Sequence, residues 1–175
     1  MQIAELIHRL TIPHRAQAAY RTLLGMGFAV APIALAGLRH SHADVRYYCC
    51  MLLDHFLIPD ALPALIAVLG DPDPRVRVSA LHTLACDRCK EGSCRPEGAA
   101  VLPEALRILN EDPNAHVRAM AIEVIGQYVH TNPLAAQALL NSKQHDSNPT
   151  VRKKAGWYAP GGSIHTRTAP RRTPP

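Results

Sequence analysis

The stretch "DPDPRVRVSALHTLAC" (71–86) is typical of a turn followed by a helix, and it indicates the fold because it recurs along the chain. A turn followed by Val-Arg is also found in "HSHADVRYYCCMLLDH" (40–55), "DPNAHVRAMAIEVIGQ" (112–127) and "DSNPTVRKKAGWY" (146–158). The arginines of these four pairs are separated by 31, 41 and 34 residues: Arg46, Arg77, Arg118 and Arg152. Self-similarity at such a period is the sequence signature of a repeat architecture.

Each copy follows the same physical rules. Pro together with Asp or Asn favours a turn and supplies a helix N-cap. Four positions after the Val stands a small residue, which lies on the same helix face as the Val and lets a neighbouring helix approach closely. These small residues are Cys49, Ala80, Ala121 and Ala155 in the four copies. A degenerate first copy around Arg15 has Ala18 at this position.

A second amphipathic segment precedes each of the Val-Arg helices. These segments are "VAPIALAGL" (30–38), "ALPALIAVL" (61–69), "VLPEALRIL" (101–109) and "PLAAQALL" (133–140). Pro32, Pro63 and Pro103 are predicted near helix starts, where a missing N–H costs little. The sequence therefore predicts an all-α fold, an α-solenoid of four to five helical hairpins.

The recurring pattern Asp-Pro-x-x-x-Val-Arg-x-x-Ala-x-x-x-Leu resembles the short HEAT-like repeat known from phycobilin lyase subunits and many bacterial scaffold proteins. The resemblance covers roughly residues 5–158. It implies HEAT-like helical hairpins and a general role in protein–protein contact, and it implies no activity. We therefore predict a HEAT-like repeat domain at 1–158, with an insertion loop at 86–98, and a Pro-rich basic tail at 159–175 that is disordered.

The repeated arginine has two interpretations. In the structural interpretation the guanidinium bonds the Asp or Asn side chain or the carbonyls of the adjacent repeat and ties the stack together. In the functional interpretation a ladder of arginines captures anions. Each arginine comes with a turn acid or amide, namely Asp71, Asp73, Asp112, Asn114 and Asp146. An anion ladder has no need of paired acids, so we favour the structural role.

The 41-residue interval contains an insertion with the sequence "CDRCKEGSC" (86–94). His82 and Cys86 are i and i+4 at the end of one predicted helix, so both side chains can point to one side. Together with Cys89 and Cys94 they make a Cys₃His set that suits a closed, structural zinc site. Two alternatives remain open: a redox-active Cys-x-x-Cys pair, and cysteines that are merely packed.

The other two cysteines and the histidines point to no chemistry. Cys49 and Cys50 occupy positions that are Ala, Leu or Ile in the other copies, so we predict that they are buried in the core. The remaining histidines are scattered, and no phosphate-binding or nucleophile motif occurs. The sequence predicts a non-catalytic scaffold or adaptor whose partner is another protein.

Charge and hydropathy limit the remaining function classes. Residues 1–151 are nearly neutral, with 13 of the 19 Lys and Arg and all 14 Asp and Glu, so the basic character lies in the C-terminal segment. Nucleic-acid binding through that tail is kept as an alternative. No signal peptide or membrane span is predicted, and we expect a cytoplasmic protein.

Trp157 and Tyr158 are predicted to cap the last repeat.

Overall fold

The computed structural model describes residues 2–85 and 98–170. Within these ranges the chain is all-α, with no strand, and three short 3₁₀ helices accompany the α-helices. The α-helices are α1 (Ile3–Leu10), α2 (Pro13–Leu24), α3 (Ala31–Gly37), α4 (Ala43–His55), α5 (Leu62–Ala67), α6 (Pro74–Ala85), α7 (Gly98–Glu111), α8 (Ala115–Gly126), α9 (Pro133–His145), α10 (Pro149–Tyr158) and α11 (Ser163–Thr168).

The helices form pairs of neighbours in two compact units, Met1–Pro96 and Glu97–Pro175. In the first unit α1 packs on α2, α3 on α4 and α5 on α6. In the second unit α7 packs on α8 and α9 on α10, and α11 follows against α10. The described residues thus contain five helix pairs, which confirms the predicted all-α fold of the α-solenoid class built from helical hairpins.

The turns before the Val-Arg helices are held by side-chain caps, as predicted. Asn114 accepts hydrogen bonds from the backbone N–H groups of His116 and Val117, and Asn148 accepts one from Thr150. These bonds satisfy N–H groups that a helix start otherwise leaves unpaired. In α4 the cap is a histidine, His42, whose Nδ1 accepts from the N–H of Asp44 at 3.3 Å.

The predicted core face is correct in four copies and wrong in the first. The Val and the small residue four positions later are fully buried in each of the four: Val45 and Cys49, Val76 and Ala80, Val117 and Ala121, Val151 and Ala155. In α2, however, Ala18 is exposed, and Ala19 is buried in its place. The first copy is therefore shifted by one residue, because α2 buries Ala16, Ala19, Tyr20 and Leu23.

Two glycines set how closely helices approach. A Cβ added at Gly37 in α3 would overlap the Sγ of Cys49 in α4. A Cβ at Gly126, the last residue of α8, would overlap the ring of Tyr158 in α10. At both positions the absent side chain provides the space into which the neighbouring side chain packs.

Pro103 is not near a helix start, in contrast to the prediction. It lies inside α7, because that helix begins at Gly98, before the predicted segment and more than one turn before Pro103. Pro32 and Pro63 do occupy the first turns of α3 and α5. The N-terminal extension of α7 therefore places Pro103 inside the helix, where its missing N–H removes one backbone hydrogen bond.

The C-terminal segment contains more regular structure than its composition indicates. Tyr158 is half-buried and packs against Gly126, whereas Trp157 is 42% exposed and lies under the ammonium of Lys153. Helix α11 lies inside the predicted tail, and His130 Nε2 is 3.0 Å from the Thr168 hydroxyl. Residues 171–175 lie outside the described residues, and the domain boundary at 158 remains a prediction.

Candidate functional site

In the first unit the repeated arginine ties one repeat to the next. Arg46 donates to both carboxylate oxygens of Asp71, with Nε–Oδ2 at 2.6 Å and Nη2–Oδ1 at 2.9 Å. Its Nη1 donates to the carbonyls of His40 and Ser41 in its own turn. Asp71 also accepts from the N–H of Asp73 at 2.8 Å, so the same carboxylate shapes the following turn.

The second unit repeats this arrangement. Arg118 donates to both carboxylate oxygens of Asp146 at 2.9 Å and to the carbonyls of Asp112 and Pro113. Burial alone would raise the pKa of Asp146, but hydrogen bonds from Arg118 and from the N–H of Asn148 outweigh it and lower that pKa. Both Arg118 and Asp146 are therefore charged at neutral pH.

The other two Val-Arg arginines bond carbonyls of their own turns. Arg77 donates to the carbonyls of Asp71 and Pro72, and Arg152 donates to those of Asp146 and Ser147. The structural role predicted for the repeated arginine is thus confirmed for Arg46 and Arg118, which bond an acid of the next repeat. A guanidinium has five N–H donors, and those of Arg46 and Arg118 are directed at protein oxygens, which leaves them poorly placed to capture an anion.

Cys49 and Cys50 are fully buried, as predicted. Burial raises the pKa of the Cys49 thiol to about 12 and raises the pKa of Cys50 as well. Since the thiolate is the nucleophile and the metal ligand, we expect both groups to be unreactive in the folded chain.

A chain in which the three loop cysteines are replaced by Ser tests this directly. It retains only Cys49 and Cys50, and we expect no reaction with a disulfide reagent such as Ellman's reagent until the chain is unfolded in urea, when two thiols react. Measurement of the released chromophore with time checks the result. Modification of either thiol at the rate of a free cysteine under native conditions would contradict the burial described above.

One of the four predicted metal ligands, His82, lies among the residues that the structure describes. His82 lies in the last turn of α6 with its side chain 51% exposed, whereas Cys86, Cys89 and Cys94 lie outside the described residues. Across 2–85 and 98–170, no group of three or more His, Cys, Asp or Glu side chains is close enough to hold a metal ion. The Cys₃His set therefore remains a prediction.

His82 has a neighbour that sequence reasoning missed. Its Nε2 is 3.6 Å from Oδ2 of Asp54 in the last turn of α4. Asp54 is only 8% exposed, and its Oδ1 is buried with no hydrogen-bond partner among the described atoms. The sequence did contain a signal for Asp54. This acid stands nine residues after the Val of its copy, at a position where the next two copies have Ala85 and Gly126.

The first unit also carries an open, mainly apolar hollow of about 510 Å³ between α1 and α3. Its rim is basic, formed by the exposed Arg39 and the half-buried His40. The remaining lining is Ile7, Pro32, Ile33, Ala36 and Gly37. The sequence showed α3 to be amphipathic, but it did not show that part of the apolar surface stays uncovered.

No α-helix in the described part of the chain is both long enough and apolar enough to cross a membrane.

Comparison with known proteins identifies the class of repeat. Residues 31–94, which include α3 to α6, match the family model described as HEAT repeats. The predicted resemblance to HEAT-like repeat proteins is thereby confirmed for the segment that includes α3 to α6.

A solved structure extends the likeness of fold over most of the chain. It is the complex of CpcE and CpcF of phycocyanin lyase from Nostoc sp. PCC7120. One of its chains shares 22% sequence identity with this protein, and the match covers 87% of this chain and 95% of that one, with a TM-score of 0.68. Comparison with the sequences of curated proteins gave no match.

Proposed function

We propose that this protein is a non-catalytic scaffold or adaptor that binds another protein through the hollow between α1 and α3. The observation that carries the proposal is the hollow itself, an uncovered apolar surface in a repeat protein whose repeated arginines Arg46 and Arg118 bond internal carboxylates. An exposed apolar surface rimmed by polar groups is typical of a protein-binding site. The solved phycocyanin lyase structure, one chain of which resembles this fold, is a complex of two proteins, CpcE and CpcF, which supports a protein as the partner.

The lining of the hollow indicates the chemistry of its occupant. Ile7, Ile33 and Ala36 offer aliphatic contacts, and the hollow contains no buried charged group that would orient a small polar substrate. Arg39 and His40 at the edge favour acidic groups. The occupant that fits is an amphipathic segment of a partner protein with acidic residues beside its apolar face.

We further propose that the Cys-rich loop binds a structural metal, zinc being the ion that suits its thiols and imidazole. His82, Cys86, Cys89 and Cys94 are the proposed ligands. His82 is the proposed ligand that lies among the described residues, and it fits this role. Its side chain is half exposed in the last turn of α6, four positions before Cys86. Zinc would supply no reaction here: it would pin an insertion that is otherwise entropically costly to order.

A matched pair of alanine variants tests the protein-binding surface. Ala36 and Ala67 are both exposed on helices of the first unit, but only Ala36 lines the hollow. Glu is a good helix former, so both Ala36→Glu and Ala67→Glu are expected to fold. We expect Ala36→Glu to lose the partner that the unmodified chain captures from its native extract, and Ala67→Glu to retain it.

The readout is quantitative mass spectrometry of captured proteins, with far-UV circular dichroism of both variants as the folding control. A protein lost with Ala36→Glu alone identifies the partner and supports the hollow as its binding surface. Equal recovery of every captured protein by all three chains would place binding elsewhere.

A further inference from the structure

The second unit carries uncompensated positive charge between residues 141 and 170. This segment contains five Lys or Arg and a single acid, Asp146. Arg118 already bonds both carboxylate oxygens of Asp146, and Lys154 forms an ion pair with Glu123 at 2.6 Å. Within the described residues no carboxylate lies within ion-pair distance of Lys143 or Lys153, and both side chains are exposed. Their charge is therefore available to a partner.

The one tryptophan of the chain lies beside these lysines. Trp157 is 42% exposed, and the ammonium of Lys153 lies 5.6 Å from the centroid of its ring. Lys143 in α9 approaches the same part of α10, because its aliphatic carbons lie 3.7–3.8 Å from the position that a Cβ on Gly156 would take. Lys153, Gly156 and Trp157 are spaced i, i+3 and i+4, so they share one face of α10. We call Lys143, Lys153 and Trp157 the basic aromatic face.

Packing of α10 holds this face in place. On the other side of the helix Val151 and Ala155 are fully buried, and α10 packs on both α8 and α9. A Cβ at Gly162 would overlap the carbonyl oxygens of Gly156 and Trp157, so the turn before α11 packs closely on the end of this helix. The basic aromatic face is therefore presented by a helix that is anchored in the core.

Three kinds of anionic partner differ in how much of this face they would use. A membrane surface requires a broad apolar face beside the cations, whereas among the residues of α10, all of them described, only Trp157 exposes a large apolar side chain. An acidic protein segment would use the lysines and leave the indole without a matching group. A single strand of nucleic acid uses both, since its phosphates pair with cations and its bases stack on aromatic rings.

We propose that the basic aromatic face binds single-stranded nucleic acid, with phosphates on Lys143 and Lys153 and an unstacked base on Trp157. Lysine recognises a phosphate as a point charge, and stacking accepts every base, so binding should show little sequence preference. The inference goes beyond the proposed binding of a protein and does not rest on it, because the face lies in the second unit and the hollow lies in the first.

The salt dependence of binding tests the role of the two lysines. Binding of a fluorescein-labelled single-stranded DNA of mixed sequence to the full-length chain is followed by anisotropy at several salt concentrations. Each phosphate of a single strand that is neutralised contributes about 0.7 to the slope of log affinity against log salt, so Lys143→Gln/Lys153→Gln should reduce that slope by about 1.4. Arg15→Gln/Arg21→Gln removes the same charge from exposed positions of α2 and should leave the slope unchanged.

Trp157 supplies a direct readout of stacking, because it is the only tryptophan of the chain. We expect the unlabelled DNA to quench its fluorescence. Trp157→Ala should weaken the affinity at least about fivefold, whereas Trp157→Phe should retain most of it, since phenylalanine also offers a ring for stacking. Far-UV circular dichroism of both variants is the folding control.

The same slope for the unmodified chain and for Lys143→Gln/Lys153→Gln would overturn the proposal, and so would a DNA complex in which the fluorescence of Trp157 does not change. Poly-glutamate and vesicles of phosphatidylglycerol are the competing probes. Tighter binding to either of them than to the DNA at the same salt concentration would assign the face to an acidic protein or to a membrane and would also overturn the proposal.

Discussion

Replacing Arg118 by Ala is expected to lower the free energy of unfolding by about 3–5 kcal/mol, the usual cost of breaking a buried ion pair. Arg118 is 9% exposed, and it bonds Asp146 as well as two carbonyls of its own turn. Its removal leaves a buried carboxylate without its counter-charge. Urea unfolding followed by circular dichroism measures the loss.

Arg152→Ala is the matched control within the same unit. Arg152 holds the equivalent position of its copy, but its hydrogen bonds go to the carbonyls of Asp146 and Ser147 rather than to a carboxylate. We expect it to cost about 1 kcal/mol, as for an ordinary hydrogen bond. Equal losses for the two variants would contradict the claim that Arg118 joins two repeats through a buried ion pair.

Replacing Gly37 by Ala is expected to lower the free energy of unfolding by about 1–3 kcal/mol, the typical cost of overpacking a core. The new methyl group would overlap the Sγ of Cys49, and both residues lie on packed helices, α3 and α4. Gly70→Ala is the control, because a Cβ at Gly70 meets nothing within 4 Å. That variant should be neutral or slightly stabilising.

A second substitution shows whether the overlap is the cause. In a Cys49→Ala background the sulfur is absent, so Gly37→Ala should cost little more than Gly70→Ala. The double-mutant cycle isolates the coupling between the two positions, since the pair is in direct contact. If Gly37→Ala costs the same in both backgrounds, the loss arises from the backbone and not from Cys49.

Recurrence made most of the fold predictable. One Val-Arg helix alone is ambiguous, but four copies with the same turn, the same small residue and a preceding amphipathic segment admit few packings. The prediction failed at Ala18, because the first copy has no Val to fix its register and its other small residues also fit a helix face. It failed at Pro103 because nothing in the local sequence showed that α7 begins at Gly98.

The candidate site was less predictable, for a physical reason. The repeat pattern reports which residues a helix buries, whereas the hollow at Ile33 and Ala36 depends on what neighbouring helices leave uncovered. Asp54 and His82 are 28 positions apart, and only the packing of α4 on α6 brings them together. The core role of Cys49 and Cys50 was predictable because the other copies supply their equivalents.

Binding of a protein in the hollow between α1 and α3 can be measured by calorimetric titration with the purified partner. We expect Ala36→Glu to weaken the affinity about tenfold or more, because it places a charge against apolar surface, and Ala67→Glu to leave the affinity unchanged. The same dissociation constant for the unmodified chain and for Ala36→Glu would contradict binding in the hollow.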